Sequence, residues 1–354
     1  MTDHSILPPS SAFRRMLCPG SRALEKLYPQ SSNRHSIEGQ IAHHVAALAV
    51  TERLMKPGEM TPLGVVDSDM VEGAKLYAHT INLAKSHPGH SVHVETKIDI
   101  KSIHDECWGT CDAWYYSNKR LYVWDYKYGH KIVEPEGNWQ LIAYAAGILD
   151  ILFLEPIQEV NLVIVQPRGY TANSLVRTWR TTVNELQPYF DRLRLSEAEA
   201  MKENAPLTPS AKACEWCNAR MHCPALQKKT SEPIQPLQET LEITNEKLSV
   251  NLKEINERIA LLTSLQTILS AIAVERIVAG QSIPGFFLES GRGSQVWKSS
   301  PEEVIQIGQL FGCELQKPID VITPKQAIKA GIPTEVVTKH SELMPGALKL
   351  KEFT

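Results

Sequence analysis

The chain of 354 residues, with 43% hydrophobic and 22% charged residues and a formal net charge of -3, has the composition of an ordinary globular protein and the length for one large domain or two moderate ones. That charge excludes the overall basic footprint many nucleic-acid binders carry, leaving only local clusters such as Arg14/Arg15, Arg192/Arg194 and Lys228/Lys229 to follow phosphates. The opening MTDHSILPPS lacks the layout of a signal peptide, and no apolar run approaches the roughly 18 residues of a membrane span, so the expectation is a cytoplasmic protein with no membrane partner.

In chain order, helical apolar spacing runs from 36 to 55, ending near Lys56-Pro57-Gly58, and again from 68 to 86, stopped by His87-Pro88-Gly89. Strand-like segments follow at 92–100, 108–117 and 120–128, then a helix at about 137–150. Residues 159–167 (EVNLVIVQP) look like a strand buried on both faces, 174–180 a further strand and 183–203 a helix. The polar, proline-bearing stretch around 231–243 is the linker candidate, dividing a domain over 1–230 from an accessory α+β domain over 244–354. Beyond it Leu248, Leu252, Ile255, Ile259, Leu262, Leu265, Leu269 and Ile272 predict one long amphipathic helix over about 244–279, packing on its own domain or on a second subunit or partner. The tail reads as strands near 285–299, broken by Gly291-Arg292-Gly293, and short helices after Ser300 and Thr323.

The segments 108–117 and 120–128 fit a hairpin turning at Asn118-Lys119. If Ser117 faces Arg120, then Asp112 lies opposite Asp125 on one face, with Cβ atoms ~5 Å apart, and Lys127 shares that face. A slip of one residue would send the two aspartates to opposite faces. Like charges placed cross-strand are destabilising in a purely structural hairpin. A divalent cation with the Lys127 ammonium beside it would satisfy them and supply the parts of a hydrolytic site; the plainer reading is a salt-bridged hairpin with one solvated aspartate.

These residues resemble the RecB-like branch of the PD-(D/E)XK nucleases, whose core motif is an aspartate on one strand and (D/E)-x-K on the next; here they are Asp112 and Asp125-Tyr126-Lys127. Three further motifs stand in the branch's order. Glu38-Gly39-Gln40-Ile41-Ala42-His43 is similar to the helix bearing a metal-ligand histidine; His44 stands beside His43, and the family's spacing from the glycine implies His43. Glu95 falls where an additional acid often sits, and Gln140 and Tyr144 match the Q-x3-Y motif. Those last two, at i and i+4, share a helix face and could meet a DNA phosphate or the catalytic lysine. One departure is an aspartate, Asp125, where the branch usually has glutamate, which it tolerates. The resemblance implies a mixed central sheet flanked by helices, with Mg2+ or Mn2+ held by His43, Asp112, Asp125 and the carbonyl of Tyr126. It further implies that Lys127 activates water and that Glu95 supports a second ion.

Seven cysteines without an export signal point to metal binding or burial rather than disulfides. Cys214, Cys217 and Cys223 form C-x2-C-x5-C, and a fourth ligand could come from Cys18, His222, Cys107, Cys111 or Cys313. A subset of the RecB-like nucleases, including AddB-type and CRISPR-adaptation enzymes, has one cysteine before the histidine motif and three after the Q-x3-Y helix. Its layout implies Cys18 as the fourth ligand and a [4Fe-4S] cluster that staples the domain's ends; zinc suits the same thiolates on physical grounds. The expected function is a metal-dependent deoxyribonuclease resembling stand-alone phage or prophage members, an exonuclease serving a single-strand annealing or recombination protein. The alternatives are a silent DNA-binding or scaffold protein of the same fold and a nuclease for RNA or recombination intermediates; oligomerisation stays open.

Overall fold

The computed structural model describes residues 5–28, 34–51, 53–85, 91–169, 174–232, 244–290, 294–316, 321–344 and 348–352. They belong to two compact units, Met1–Ser264 and Leu265–Thr354. The first begins with helices α1 (Ala12–Leu17), α2 (Ser21–Leu27) and α3 (Arg34–Thr51), a two-stranded turn of β1 (Met60–Thr61) and β2 (Gly64–Val65), and helix α4 (Ser68–Ala84). Strands β3 (His93–Asp99), β4 (Trp108–Ser117) and β5 (Arg120–Tyr126) follow, then α5 (Trp139–Ile151), β6 (Glu159–Val165), β7 (Val176–Thr181) and α6 (Val183–Ala200). The short helices α7 (Ala211–Cys214) and α8 (Pro224–Ser231) lead to α9 (Asn245–Val278).

The five-stranded sheet has the order β3-β4-β5-β6-β7. It is antiparallel except between β5 and β6, which run parallel because α5 crosses between them. Alternation along the strands feeds two cores. One side of the sheet packs Leu121, Val123, Leu162 and Ile164 against α5 and α6. On the other, Ala113, Tyr115, Trp124, Tyr126 and Val163 meet Ile41, Val45, Met70, Ala74 and Tyr77 of α3 and α4. β6, an inner strand of the sheet, is buried on both faces, as its largely apolar sequence predicts. Asn118 and Lys119 both take positive φ, 50° and 63°, the two-residue hairpin turn whose twist matches the strands. It sets Ser117 opposite Arg120 and Ala113 opposite Trp124.

The second unit pairs β8 (Phe286–Ser290) with β11 (Leu348–Glu352), and β9 (Ser294–Trp297) with β10 (Ser341–Met344). Between them lie α10 (Pro301–Leu310), α11 (Pro324–Lys329) and α12 (Thr334–Lys339) around Val304, Leu315, Ala327, Ile332 and Val337. Capping boxes at Ser300/Glu303 and Thr323/Gln326, each with proline in the first turn, start the two helices expected there.

Several sequence expectations shift. The helix expected to reach 55 stops at Thr51, and the tight turn of β1 and β2 follows. The division between units falls within α9, while most of the linker candidate, 233–243, lies outside the described residues, as do His87-Pro88-Gly89 and Gly291-Arg292-Gly293. The reading that no apolar run approaches a membrane span's length is corrected: α9 contains an 18-residue window of mean hydropathy 1.5 with at most two charged side chains, of which 6% is buried. By length and composition alone that is enough to cross a membrane. Isolated polar residues such as Ser264, Gln266 and Thr267 break the apolar run without lowering its mean much.

Candidate active site

The site forms where the β3-β4-β5 ladders loosen. β3 pairs with β4 on either side of Glu95 and Asp112 but skips that pair, and the β4–β5 ladder ends at Ala113 and Trp124, one step before Asp112 and Asp125. Glu95 has φ of 48°, a left-handed conformation unusual for a side-chain-bearing residue within a strand. Alternation on β4 breaks at the same point. Cys111 packs with Trp114 on the α5 side, whereas Ala113 and Tyr115 face α3 and α4. Asp112, between them, accepts a hydrogen bond at Oδ2 from the Tyr126 amide at 2.7 Å.

His43 reaches this notch from α3, where Ala42, Val45 and Ala46 anchor the helix in the core. Its Nδ1 lies 3.5 Å from Asp112 Oδ2, and its ring meets Tyr126 edge-on at 5.3 Å. Among the described residues, one trio of ligand atoms within 4.8 Å of one another comes from His43, Glu95 and Asp112. Burial and the neighbouring Asp112 push the Glu95 carboxyl up to about 7, with His43 working the other way. A nitrogen and two carboxylates that crowd one another are a donor set that can hold a divalent cation. A cleft of about 610 Å3 opens beside the trio, lined by Glu95 and by Ser36, Gly39, Gln40, His43 and His44 of α3. His43 therefore belongs to the trio, and His44 lines the cleft next to it.

Asp125 stands outside the trio. Its carboxylate is 1% exposed and is met by Lys127 Nζ at 2.9 Å from Oδ1 and 2.8 Å from Oδ2. Burial pushes its pKa up, Lys127 opposes this, and Asp112 adds to it. For Lys127, burial disfavours the charge, but Asp125 and Asp112 outweigh it and hold the ammonium above its ordinary range. Lys127 also donates to Gln140 Oε1 at 3.0 Å. Gln140 is placed by the Asn138 cap, whose side chain accepts from the amides of Gln140 and Leu141 and so fixes the start of α5. Tyr144, one turn on, donates to the Thr110 carbonyl at 2.7 Å, and burial keeps its hydroxyl protonated. Of the two partners the sequence allowed for this pair, Gln140 meets the lysine, and Tyr144 meets the β4 backbone instead.

Two groups that support the site were not singled out from the sequence. Gln166 is fully buried past the end of β6; its Nε2 donates to the carbonyls of Gly129 and Lys131 at 2.7 and 2.8 Å, fixing the loop after Lys127. A lone amide at the end of an apolar strand was the available signal. Arg168 pairs with Glu38 at 2.7 Å and lies over the Tyr128 ring at 4.5 Å, tying α3 to the same end of the sheet.

Elsewhere in this unit the N-terminal segment folds back onto the segment that carries the late cysteines. Thr208 N donates to Cys18 Sγ at 3.3 Å and Gly20 N to the Pro206 carbonyl at 2.9 Å. A Cβ at Gly20 would lie 2.6 Å from the Ala205 carbonyl oxygen, which explains a glycine there. Cys18, Cys214, Cys217 and Cys223 are all buried. Burial raises Cys18, and the neighbouring Cys223 adds to it. Burial pushes Cys214 to about 11, with Cys18 and Cys223 adding to it, and Cys217 to about 12. The other candidates for a fourth ligand are occupied elsewhere. His222 stacks on Tyr28 at 4.2 Å, Cys107 and Cys111 lie in the sheet core, and Cys313 donates to the Ala330 carbonyl in the second unit. Four thiolates suit zinc or an iron-sulfur cluster alike.

The basic clusters expected to follow phosphates are engaged within the protein. Arg14 pairs with Glu25 at 2.5 Å. Arg15 is 2% exposed and grips Glu197 through Nε and Nη2 at 2.6 and 2.7 Å. Arg192 lies over Trp139, and Arg194 pairs with Asp191 and donates to the Ser102 carbonyl. Lys228 pairs with Glu232 and Lys229 with Glu257. A family model for proteins of unknown function, DUF2800, matches residues 4–319, and the chain belongs to that family.

Proposed function

We propose that the protein is a metal-dependent phosphodiester hydrolase acting on DNA, of the PD-(D/E)XK kind that its motifs resemble. The observation that carries this reading is the convergence of His43, Glu95 and Asp112 within 4.8 Å, one strand away from a lysine whose ammonium is held on a buried aspartate. His43, Glu95 and Asp112 would hold Mg2+ or Mn2+, with Asp125 and the Tyr126 carbonyl as further oxygen ligands. Such an ion, when bound, supplies Lewis-acid polarisation of a phosphoryl oxygen and lowers the pKa of a water.

The chain's own residues do the rest. Lys127 has three N–H donors; Asp125 and Gln140 orient it and leave a donor for the attacking water or the developing charge on phosphate. Gln166 holds the loop after the lysine, and Tyr144 pins β4 to α5 through Thr110, so neither carboxylate strand has to move. At the cysteines, the layout of one early and three late residues resembles that of the iron-sulfur members of the branch, and the role of a [4Fe-4S] cluster there is to close the domain rather than to react. By resemblance, the substrate is a duplex end or single strand, and the partner a recombination or annealing protein.

The test is cleavage of end-labelled linear duplex, single-stranded DNA and RNA with Mg2+, Mn2+ or EDTA, on protein purified without oxygen. Metal-dependent loss of DNA by the wild type, absent in Asp112→Asn, supports the reading. A folded, metal-loaded wild type that cleaves none of the three would refute it, and a preference for RNA would redirect it.

A further inference from the structure

Among the described residues, α9 meets the first unit along one side. Leu261 is fully buried, Glu257 takes Lys229 Nζ at 2.8 Å, and Ser264 Oγ donates to the Cys214 carbonyl at 3.4 Å. At 3.6 residues per turn these three share a face. The opposite face carries Leu248, Leu252, Ile255, Ile259 and Leu262, spaced alternately four and three residues apart, and the repeat continues through Gln266, Leu269 and Ala273. These are not chance surface aliphatics: Leu248, Leu252, Ile259, Leu262 and Leu269 are 41, 51, 55, 51 and 53% exposed. A sustained apolar stripe of this kind on a soluble surface marks an interaction site.

We propose that this stripe is the seam of a two-stranded coiled coil between two copies of the chain. The four-three alternation is the 3.5-residue period that keeps a stripe facing a second helix as both supercoil. The stripe's borders favour a copy over other occupants. They are Ser249, Asn251, Asn256 and Thr263, all uncharged, and Arg258, whose guanidinium is engaged by Glu254 and the Glu232 carbonyl. A second copy therefore brings no like charge against the first. A lipid surface would call for basic residues along those borders. Gln266, a polar residue at a seam position, would disfavour slipped registers at some cost in stability.

The inference is independent of the nuclease reading. The experiment is light scattering of the full chain at rising concentration, for the wild type and for Leu252→Lys/Ile259→Lys, with circular dichroism as the check on folding. The expected result is a mass of two chains for the wild type and one for the variant. Mixing the lysine variant with Leu252→Glu/Ile259→Glu should restore the doubled mass. Hydrogen exchange over 248–262 in the wild type should slow as concentration rises, a readout that needs no variant. A wild type that stays monomeric, a dimer unaffected by the lysine pair, or a monomer that floats with phosphatidylcholine–phosphatidylglycerol vesicles would overturn the proposal.

Discussion

Replacing Lys127 with methionine tests the site at its best-defined contact, because the change removes the ammonium and keeps most of the side-chain volume. Asp125, 1% exposed, loses a cation 2.8 Å away. Removing one partner of a buried pair costs about 3–5 kcal/mol while the other stays charged. Asp125 has a way out, since burial already raises its pKa and without Lys127 it rises further. The sign follows from linkage: the folded variant binds a proton that the unfolded chain releases at lower pH, so stability is retained in acid and lost as pH rises through the folded pKa. The deficit relative to wild type should therefore be larger at pH 8 than at pH 5. Under the proposed function, DNA cleavage should fall by about 10²–10³-fold, the usual loss when one charge-stabilising group is removed. Mn2+ affinity should weaken without being lost, because protonated Asp125 is a poorer ligand while His43, Glu95 and Asp112, the core of the proposed metal site, keep their places. Urea unfolding at the two pH values, cleavage rates and a calorimetric Mn2+ titration measure the three effects. Cleavage within tenfold of wild type in the folded variant, or an equal stability deficit at both pH values, would show the reasoning to be wrong.

Three further outcomes are expected. Because the Glu95 carboxyl titrates at about 7 without metal, an ion must displace its proton, so Mn2+ affinity should drop about tenfold per pH unit below 7; Glu95→Gln should flatten that slope, and an unchanged slope would place the titrating group elsewhere. Arg15→Met should cost about 3–5 kcal/mol in urea unfolding by stranding buried Glu197, while Arg15→Met with Glu197→Leu should recover most of it; additive losses would contradict the coupling. Anaerobically purified protein should show the broad visible absorption of an iron-sulfur cluster, lost in Cys214→Ser together with thermal stability; colourless wild type carrying zinc would replace iron with zinc at Cys18, Cys214, Cys217 and Cys223.

What could be read in advance was what depends on near neighbours in sequence. The turn at Asn118-Lys119 fixed the pairing of β4 with β5 as far as Ala113 and Trp124, whereas the break in alternation at Asp112 left no mark on the sequence. The apolar period of α9 gave its length within a residue or two, but periodicity alone does not say which side packs. Long-range partners were out of reach. Arg14 and Arg15 look like a phosphate clamp until Glu197, far along the chain, is brought against one of them. β10 and β11 were overlooked because their polar-rich segments become strands only through β9 and β8. Glu95 was noticed as an acid in place, while its left-handed backbone, a product of the ladder around it, left no mark on the sequence.

That backbone sets stability against chemistry at one position. A left-handed residue with a side chain costs on the order of 1–3 kcal/mol, and glycine would remove the strain. Selecting this protein for heat resistance alone should therefore favour Glu95→Gly, giving a sturdier protein that has lost one of the three groups of the proposed metal site. A laboratory effort to harden the fold would need to screen for cation binding at the same time, or it would quietly discard the proposed activity.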